Sequence, residues 1–334
     1  MEMKKLFIEL PSLQFFATNT TGTINSGSGA NSTKPNAYYD KLLLKLLVQT
    51  DFYHSKFAQN RPMPKRTGDT INFRKISQLG VSTTPLTEAV TPAGQSAALS
   101  AISAVTAQYG NFLEFSDLVD VTMVDPIVKE YTVEMGRSAR ETLDVLVREE
   151  LNGGSNVRYA NGRASRATLA AGDKPTVDDF RKAVLAMKKA HVRPCVDGKY
   201  VALITPDVAF DLLDDPKFLK AYEMEQNGKP LIKGEVADVY GIKFIEVVNA
   251  KVFTGAGANG VNVHSSVILG EKPYGITKIE GNGDVQTIIK ALGSAGTADP
   301  LNQRQSIGWK VNAFVAKRLE EAGICRYESV PTNS

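Results

Sequence analysis

The sequence predicts an α+β fold, and three observations carry that reading. One helical run extends from Asp125 to Asn152, bounded by Pro126 at its start and Gly153-Gly154 at its end. Alternating apolar residues mark strands before that run and again over residues 263–319. Between these regions, from Lys199 onward, strands alternate with short helices, and no internal repeat is present.

Thr18–Lys34 is a low-complexity stretch of Thr, Asn, Ser and Gly that reads as an arm or linker. Glu9 and Pro11 interrupt any signal-peptide core, and Leu10–Thr33, although uncharged, is too polar for a bilayer span of about 20 apolar residues. Ala37–Phe57 carries Leu42, Leu43, Leu44, Leu46, Leu47 and Val48, a helix too short to stand alone. A strand starts at Thr70, and Val105, Ala107, Tyr109, Leu113 and Phe115 alternate along a second. Between them Ser82–Ala98, with Pro85, Pro92 and Gly94, has no periodicity, so the whole reads as a long hairpin projecting from the body. Such a hairpin needs a partner surface.

The helix after Asp125 has Val128, Tyr131, Met135, Ala139, Thr142, Leu146 and Leu151 near one face, and spans about 40 Å at 1.5 Å per residue. Asn111–Ser155 holds 10 acidic and 4 basic residues, which predicts an acidic outer face including Glu130, Glu134, Glu141 and Asp144. Asn156–Cys195 reverses the sign, with 9 basic and 3 acidic residues. Thr176–Asp179 is a capping box, followed by the stripe Phe180, Val184 and Met187 and a basic end at Lys188 and Lys189. Strands follow at Tyr200–Thr205, Lys243–Asn249, Val263–Leu269, Val285–Leu292 and Ile307–Leu319, with helices at Pro206–Asp214 and Pro216–Gln226.

Composition is that of a globular protein: 43% hydrophobic and 22% charged residues, with a net charge of +3 that is too small for a chain coating phosphate. Cys195 and Cys325 are too few for a disulfide framework and read as inert thiols. His54, His191 and His264 are too scattered for a metal site, and no cofactor is expected. Gly255-Ala-Gly257-Ala-Asn-Gly260 matches a dinucleotide fingerprint, but Val261–His264 begins a strand where the mechanism needs a helix N-terminus. No nucleophile elbow, phosphate loop or zinc-protease helix occurs, and the adjacent carboxylate pairs read as caps or solvated faces, so no catalytic residue is assigned. The basic residues Arg61, Lys65, Arg66, Arg74 and Lys75, and the loop residues Arg158, Arg163 and Arg166, lack interleaved aromatics and read as solvated or paired charge.

The order of elements, together with Gly68-Asp-Thr-Ile-Asn-Phe-Arg-Lys75, Thr84–Pro92, Ala107–Phe112, Glu114–Asp117, Thr205–Phe210, Gly234–Gly241 and Gln305–Lys310, resembles the major capsid proteins of tailed bacteriophages with the Hong Kong 97-type fold, most closely the N-four-like subfamily. The resemblance covers roughly residues 60–320. It implies an N-terminal arm over 1–60, an E-loop hairpin over 61–118, a peripheral domain over 119–195 and 263–334 with its spine helix at 125–152, and an axial domain over 196–262. The implied function is self-assembly, as hexamers and pentamers, into an icosahedral shell around double-stranded DNA held without sequence specificity. Assembly in the host bacterial cytoplasm, a portal, decoration proteins and a separate scaffolding protein (the arm being short) are implied as well; a membrane is not. The hairpin tip has no lysine, so lysine–asparagine cross-links are not expected. Arg74, Lys75, Leu86, Glu88 and Val90 are the expected inter-subunit contacts. Two other readings stand beside this one: an encapsulin-type compartment, which shares the fold, and a cytosolic nucleotide-binding enzyme built on the glycine loop.

Overall fold

The computed structural model describes residues 53–64, 66, 68–76, 79–91, 94–122, 127–195, 198–219, 235–279, 285–294 and 299–333. The strands are β1 (Gln59–Met63), β2 (Thr70–Ile76), β3 (Leu99–Val105), β4 (Ala107–Ser116), β5 (Val157–Tyr159), β6 (Tyr200–Ile204), β7 (Glu235–Val239), β8 (Ile242–Glu246), β9 (Val252–Phe253), β10 (Val263–Leu269), β11 (Tyr274–Ile279), β12 (Gln286–Lys290), β13 (Arg304–Arg318) and β14 (Ile324–Ser329). The helices are α1 (Tyr53–Lys56), α2 (Asp117–Thr122), α3 (Ile127–Asn152), α4 (Val177–Lys189) and α5 (Pro206–Leu213). The arm, most of the Ala37–Phe57 helix and the Asp125-Pro126 start of the long helix lie outside the described residues.

The chain forms two compact units. The larger contains a seven-stranded sheet in the order β5-β14-β10-β6-β8-β7, with β9 pairing β10. β6 and β8 run parallel, β10 runs antiparallel to both β6 and β14, and β5 pairs β14 in parallel. Every residue of β6 and β10 is buried, as expected for strands covered on both faces. α4 packs onto this sheet because its apolar residues recur at helical spacing. Phe180, Ala183, Val184 and Met187 are buried, and the Phe180 ring lies 5.2 Å from Phe244 and 4.7 Å from Tyr327. The Thr176 hydroxyl caps α4 by accepting from the Asp179 N–H, and Lys188 and Lys189 stand at its negative end.

This sheet draws strands from inside and outside the segment 196–262. β6 and β8, from inside it, share one sheet and one apolar cluster with α4, β10 and β14, from outside it. Periodicity identifies each strand but carries no information on which strands pair across 60 residues or more.

The smaller unit includes residues 110–122, 127–139, 285–294 and 299–310 among those described. In it β12 pairs antiparallel with the first part of β13, from Gln286↔Lys310 to Lys290↔Ser306. Phe115 and Tyr131 meet edge to face at 5.8 Å. Gly308 and Gly110 are required by close approach, since a Cβ would lie 2.9 Å from the Phe112 Cβ and 2.8 Å from the Trp309 carbonyl respectively.

Two buried polar groups in the larger unit have consequences for its stability. Glu328, fully buried in β14, accepts from Arg166 at 2.8 and 2.6 Å and lies 2.8 Å from the Arg326 guanidinium. Removing one partner of a buried pair costs about 3–5 kcal/mol, so Glu328→Ala is expected to destabilise the protein by that amount in chemical denaturation. His264, buried in β10, contacts the Thr205 hydroxyl at 2.9 Å. Burial holds its pKa below the ordinary histidine value, although Asp207 and Asp211 pull the other way. Below pH about 6.5 the unfolded chain therefore takes up a proton that the folded chain refuses, and stability falls as pH drops through that window. The melting curve of His264→Gln, compared with the native one from pH 7 to 5, should lack this part of the acid slope.

Candidate interaction surface

β2 and β3 form a separate two-stranded ribbon, paired from Thr70↔Val105 to Ile76↔Leu99. The ribbon is one-sided. Ile71, Phe73, Ile102 and Ala104 share a face and are buried or half-buried, whereas Thr70, Asn72, Arg74, Ala101, Ser103 and Val105 on the other face are exposed.

Its root is fixed by a close approach. Phe73 packs against β11 where Gly275 has no side chain, and a Cβ there would stand 2.5 Å from Phe73 Cε1. The Arg61 guanidinium lies 5.9 Å from the Phe73 ring centroid. Thr106 donates its N–H and its hydroxyl to the Asp69 carbonyl, at 2.8 and 3.0 Å, and the Ser103 hydroxyl donates to Asn72 Oδ1 at 2.7 Å. Thr106 also corrects the single strand expected here. It lies between β3 and β4 and shifts the alternation by one residue, which leaves Val105 exposed while Tyr109 and Leu113 are half-buried and Phe115 is buried in β4.

Beyond the root, every described residue from 79 to 101 is exposed. Leu86 is 78% and Val90 62% exposed, far beyond what burial of apolar area favours in a lone chain. Between them Val90 donates its N–H to the Thr87 carbonyl, closing a turn with Glu88 and Ala89 at its centre. Ala89 takes a φ of 63°, in the left-handed region.

The sequence-predicted site residues therefore divide. Arg74, Leu86, Glu88 and Val90 are exposed on the hairpin, and the side chain of Lys75 lies outside the described residues. On α3, Glu130 and Glu134 are exposed, with Glu134 3.5 Å from Arg137, and Glu141 is half-buried. Asp144 is a correction: it does not belong to an acidic outer face. It is buried, 2.8 Å from His54 Nδ1, and accepts from the Ser55 N–H at 3.1 Å and the Ser55 hydroxyl at 3.0 Å. Tyr274 donates its hydroxyl to the His54 carbonyl beside it. The buried stripe of α3 is Ala139, Leu143, Val147 and Leu151, rotated from the expected one, so Thr142 and Leu146 are only half-buried.

The other candidate chemistries are placed as well. In the glycine loop the Gly257 N–H donates to the Val261 carbonyl and the Ala258 N–H to the Leu169 carbonyl, which takes amides away from a phosphate. Arg163 pairs with Asp173 at 2.8 Å and Arg166 with Glu328, so both are committed within the chain. Both cysteines are free. Burial pushes the Cys325 thiol up to about 11 and raises that of Cys195, which suppresses the reactive thiolate. Among the described residues no group of His, Cys, Asp and Glu is arranged to hold a metal, and no helix is long and apolar enough to cross a membrane.

Comparison with known proteins places this architecture. Residues 99–327 match the family described as phage capsid protein. The capsid of Ralstonia phage GP4 is similar in fold, with a TM-score of 0.70 at 15% identity over 89% of this chain and 96% of that one. The capsid of cyanophage Pam1 gives 0.68 at 15% identity over 92% and 98%. The SrpI encapsulin of Synechococcus elongatus gives 0.54 at 11% identity over 89% and 94%. No curated protein matches.

Truncation of a buried phenylalanine costs about 3–5 kcal/mol, so Phe73→Ala should loosen the ribbon root. Amide exchange in β2 and β3 is expected to quicken by about a hundredfold or more, with Gly275→Ala producing the same effect through its clash. Unchanged protection in both variants would contradict the anchoring role.

Proposed function

The chain belongs to the phage capsid protein family, and from that premise we propose how this major capsid protein builds its shell. It is a structural protein of the virion with the Hong Kong 97-type fold, and it self-associates into an icosahedral capsid. In our reading the subunits group as hexamers and pentamers, the β2–β3 hairpin is the E-loop, and α3 is the spine helix. The observation that carries this reading is the pairing of a fixed root at Phe73 with a tip whose Leu86 and Val90 are exposed to solvent. Burying that tip on a neighbouring copy removes apolar area from water at every contact of a closed shell. The tip's Pro85 and Pro92 restrict its backbone and lower the ordering cost of docking. Arg74, and Lys75 beside it in sequence, meet acidic residues of another copy such as Glu130, Glu134 and Glu141. Exposed ion pairs are worth only about 0–1 kcal/mol each, so the apolar tip dominates.

The shell encloses double-stranded DNA without reading its sequence. A net charge of +3, and the commitment of Arg163 and Arg166 to in-chain carboxylates, support that reading. A portal, a separate scaffolding protein, decoration proteins, assembly in the host bacterial cytoplasm and N-four-like membership complete the proposal on the strength of the resemblance. The encapsulin reading is the weaker one, with a TM-score of 0.54 against 0.70.

The test is to replace Ser82–Ala98 by a short Gly/Ser linker. The variant is expected to melt as the native subunit does but to lose closed particles. Particles of normal yield, shape and heat resistance would overturn the role given to the hairpin.

A further inference from the structure

A second unusual surface lies in the larger unit, on the outer face of α4. Asp178, Arg181, Lys182, Val184, Leu185, Lys188 and the β7–β8 turn residue Tyr240 line a groove of about 410 Å³, within the usual range for a recognition site. Its charged lining is three cations and one carboxylate. Asp178 is already committed to Arg181, at 3.1 Å, and to Lys217. Lys182 pairs with Asp179 at 2.9 Å. Lys188 has no carboxylate partner among the described residues; its ammonium lies 5.9 Å from the Tyr200 ring. The floor is amphipathic, with Leu185 52% and Tyr240 48% exposed.

Tyr240 is an unexpected residue for its place. It and Gly241 form the two-residue turn of the β7–β8 hairpin, with φ of 54° and 77°. Such turns favour Asn-Gly, and a bulky aromatic in the left-handed region is strained. Its ring lies under the Arg181 guanidinium, 4.4 Å from the centroid, and stays half open to solvent. The fold thus carries a strained backbone at a position where a small polar residue would be comfortable, and the ring it displays forms one wall of a basic groove.

The hairpin tip is the complement of that groove. Ser82–Ala98 contains one charged residue, Glu88, with Leu86 and Val90 on either side. All three are exposed, and Glu88 has no ion-pair partner among the described residues. We propose that the groove of one copy receives the hairpin tip of another, with Glu88 set among Arg181, Lys182 and Lys188, and Leu86 and Val90 against Leu185 and Tyr240. This inference rests on the hairpin being an inter-subunit element and names the surface it grips.

The experiment uses the full-length chain under conditions where it forms particles, and reads particle yield at fixed subunit concentration beside the melting temperature of the free subunit. Glu88→Lys and Lys188→Glu are each expected to weaken assembly by about fivefold per contact, the factor equivalent to about 1 kcal/mol. The double variant, with the charges exchanged, should recover most of that loss. Tyr240→Asn relieves the turn, so it should melt at the same temperature or higher and yet assemble less well. Normal assembly of all three single variants overturns the proposal, as does impaired assembly of both charge variants with no recovery in the double. If these variants assemble normally while the Gly/Ser replacement of the tip does not, the hairpin remains the clasp and only the groove is lost as its receptor.

Discussion

An isolated two-stranded ribbon is at best marginally stable in water, and among the described residues β2–β3 has no third strand. Its order comes from its root, where Phe73 fills the space that Gly275 leaves open and Thr106 ties the end of the ribbon to Asp69. Beyond the root every described residue from 79 to 101 is exposed. The consequence is a subunit that is folded but incomplete: anchored at one end of the hairpin, with apolar side chains exposed at the other. Closed self-association satisfies that surface without requiring any catalytic chemistry.

Several charged side chains of the body that carries the hairpin are tied within the chain. Arg163, Arg166 and Arg326 are bound to Asp173 and Glu328, and Arg148 donates to the Asn249 carbonyl and its side-chain oxygen at 2.9 and 2.8 Å. Glu149 is held below the usual carboxylate range: desolvation works against this, but Lys251 and Arg148 outweigh it. In the basic loop that the sequence reads as solvated or paired charge, Arg163 and Arg166 are paired. On the outer face of α4, Lys188 differs in having no carboxylate partner among the described residues, its ammonium lying 5.9 Å from the Tyr200 ring.

Local patterns were legible in the sequence, and long-range pairings were not. The Thr176 cap, the Phe180, Val184 and Met187 stripe and the β10 strand emerge where periodicity and capping place them, because each depends on neighbours within a few residues. The glycine loop was rightly read as leading into a strand. Asp144 was misplaced because its partner His54 lies 90 residues away, and a carboxylate on a helix reads as solvated until that partner is known. Sheet order was hidden for the same reason, since it brings β10 beside β6 and β14 beside β10. The break at Thr106 was hidden by an alternation that continues through it in composition while changing phase in space. At the hairpin the exposure of Leu86 and Val90 followed from the prolines and the missing periodicity, whereas the dependence of Phe73 on Gly275 needed the structure.

The central claim is that the hairpin tip of one copy is buried on another. Its most direct measurement is photo-crosslinking from position 86, with a photoreactive amino acid replacing Leu86 in particles of the full-length protein. The account predicts irradiated products at multiples of the chain mass, with the attached peptide coming from a neighbouring copy. Crosslinks confined to the chain that carries the probe, in intact particles, would contradict it.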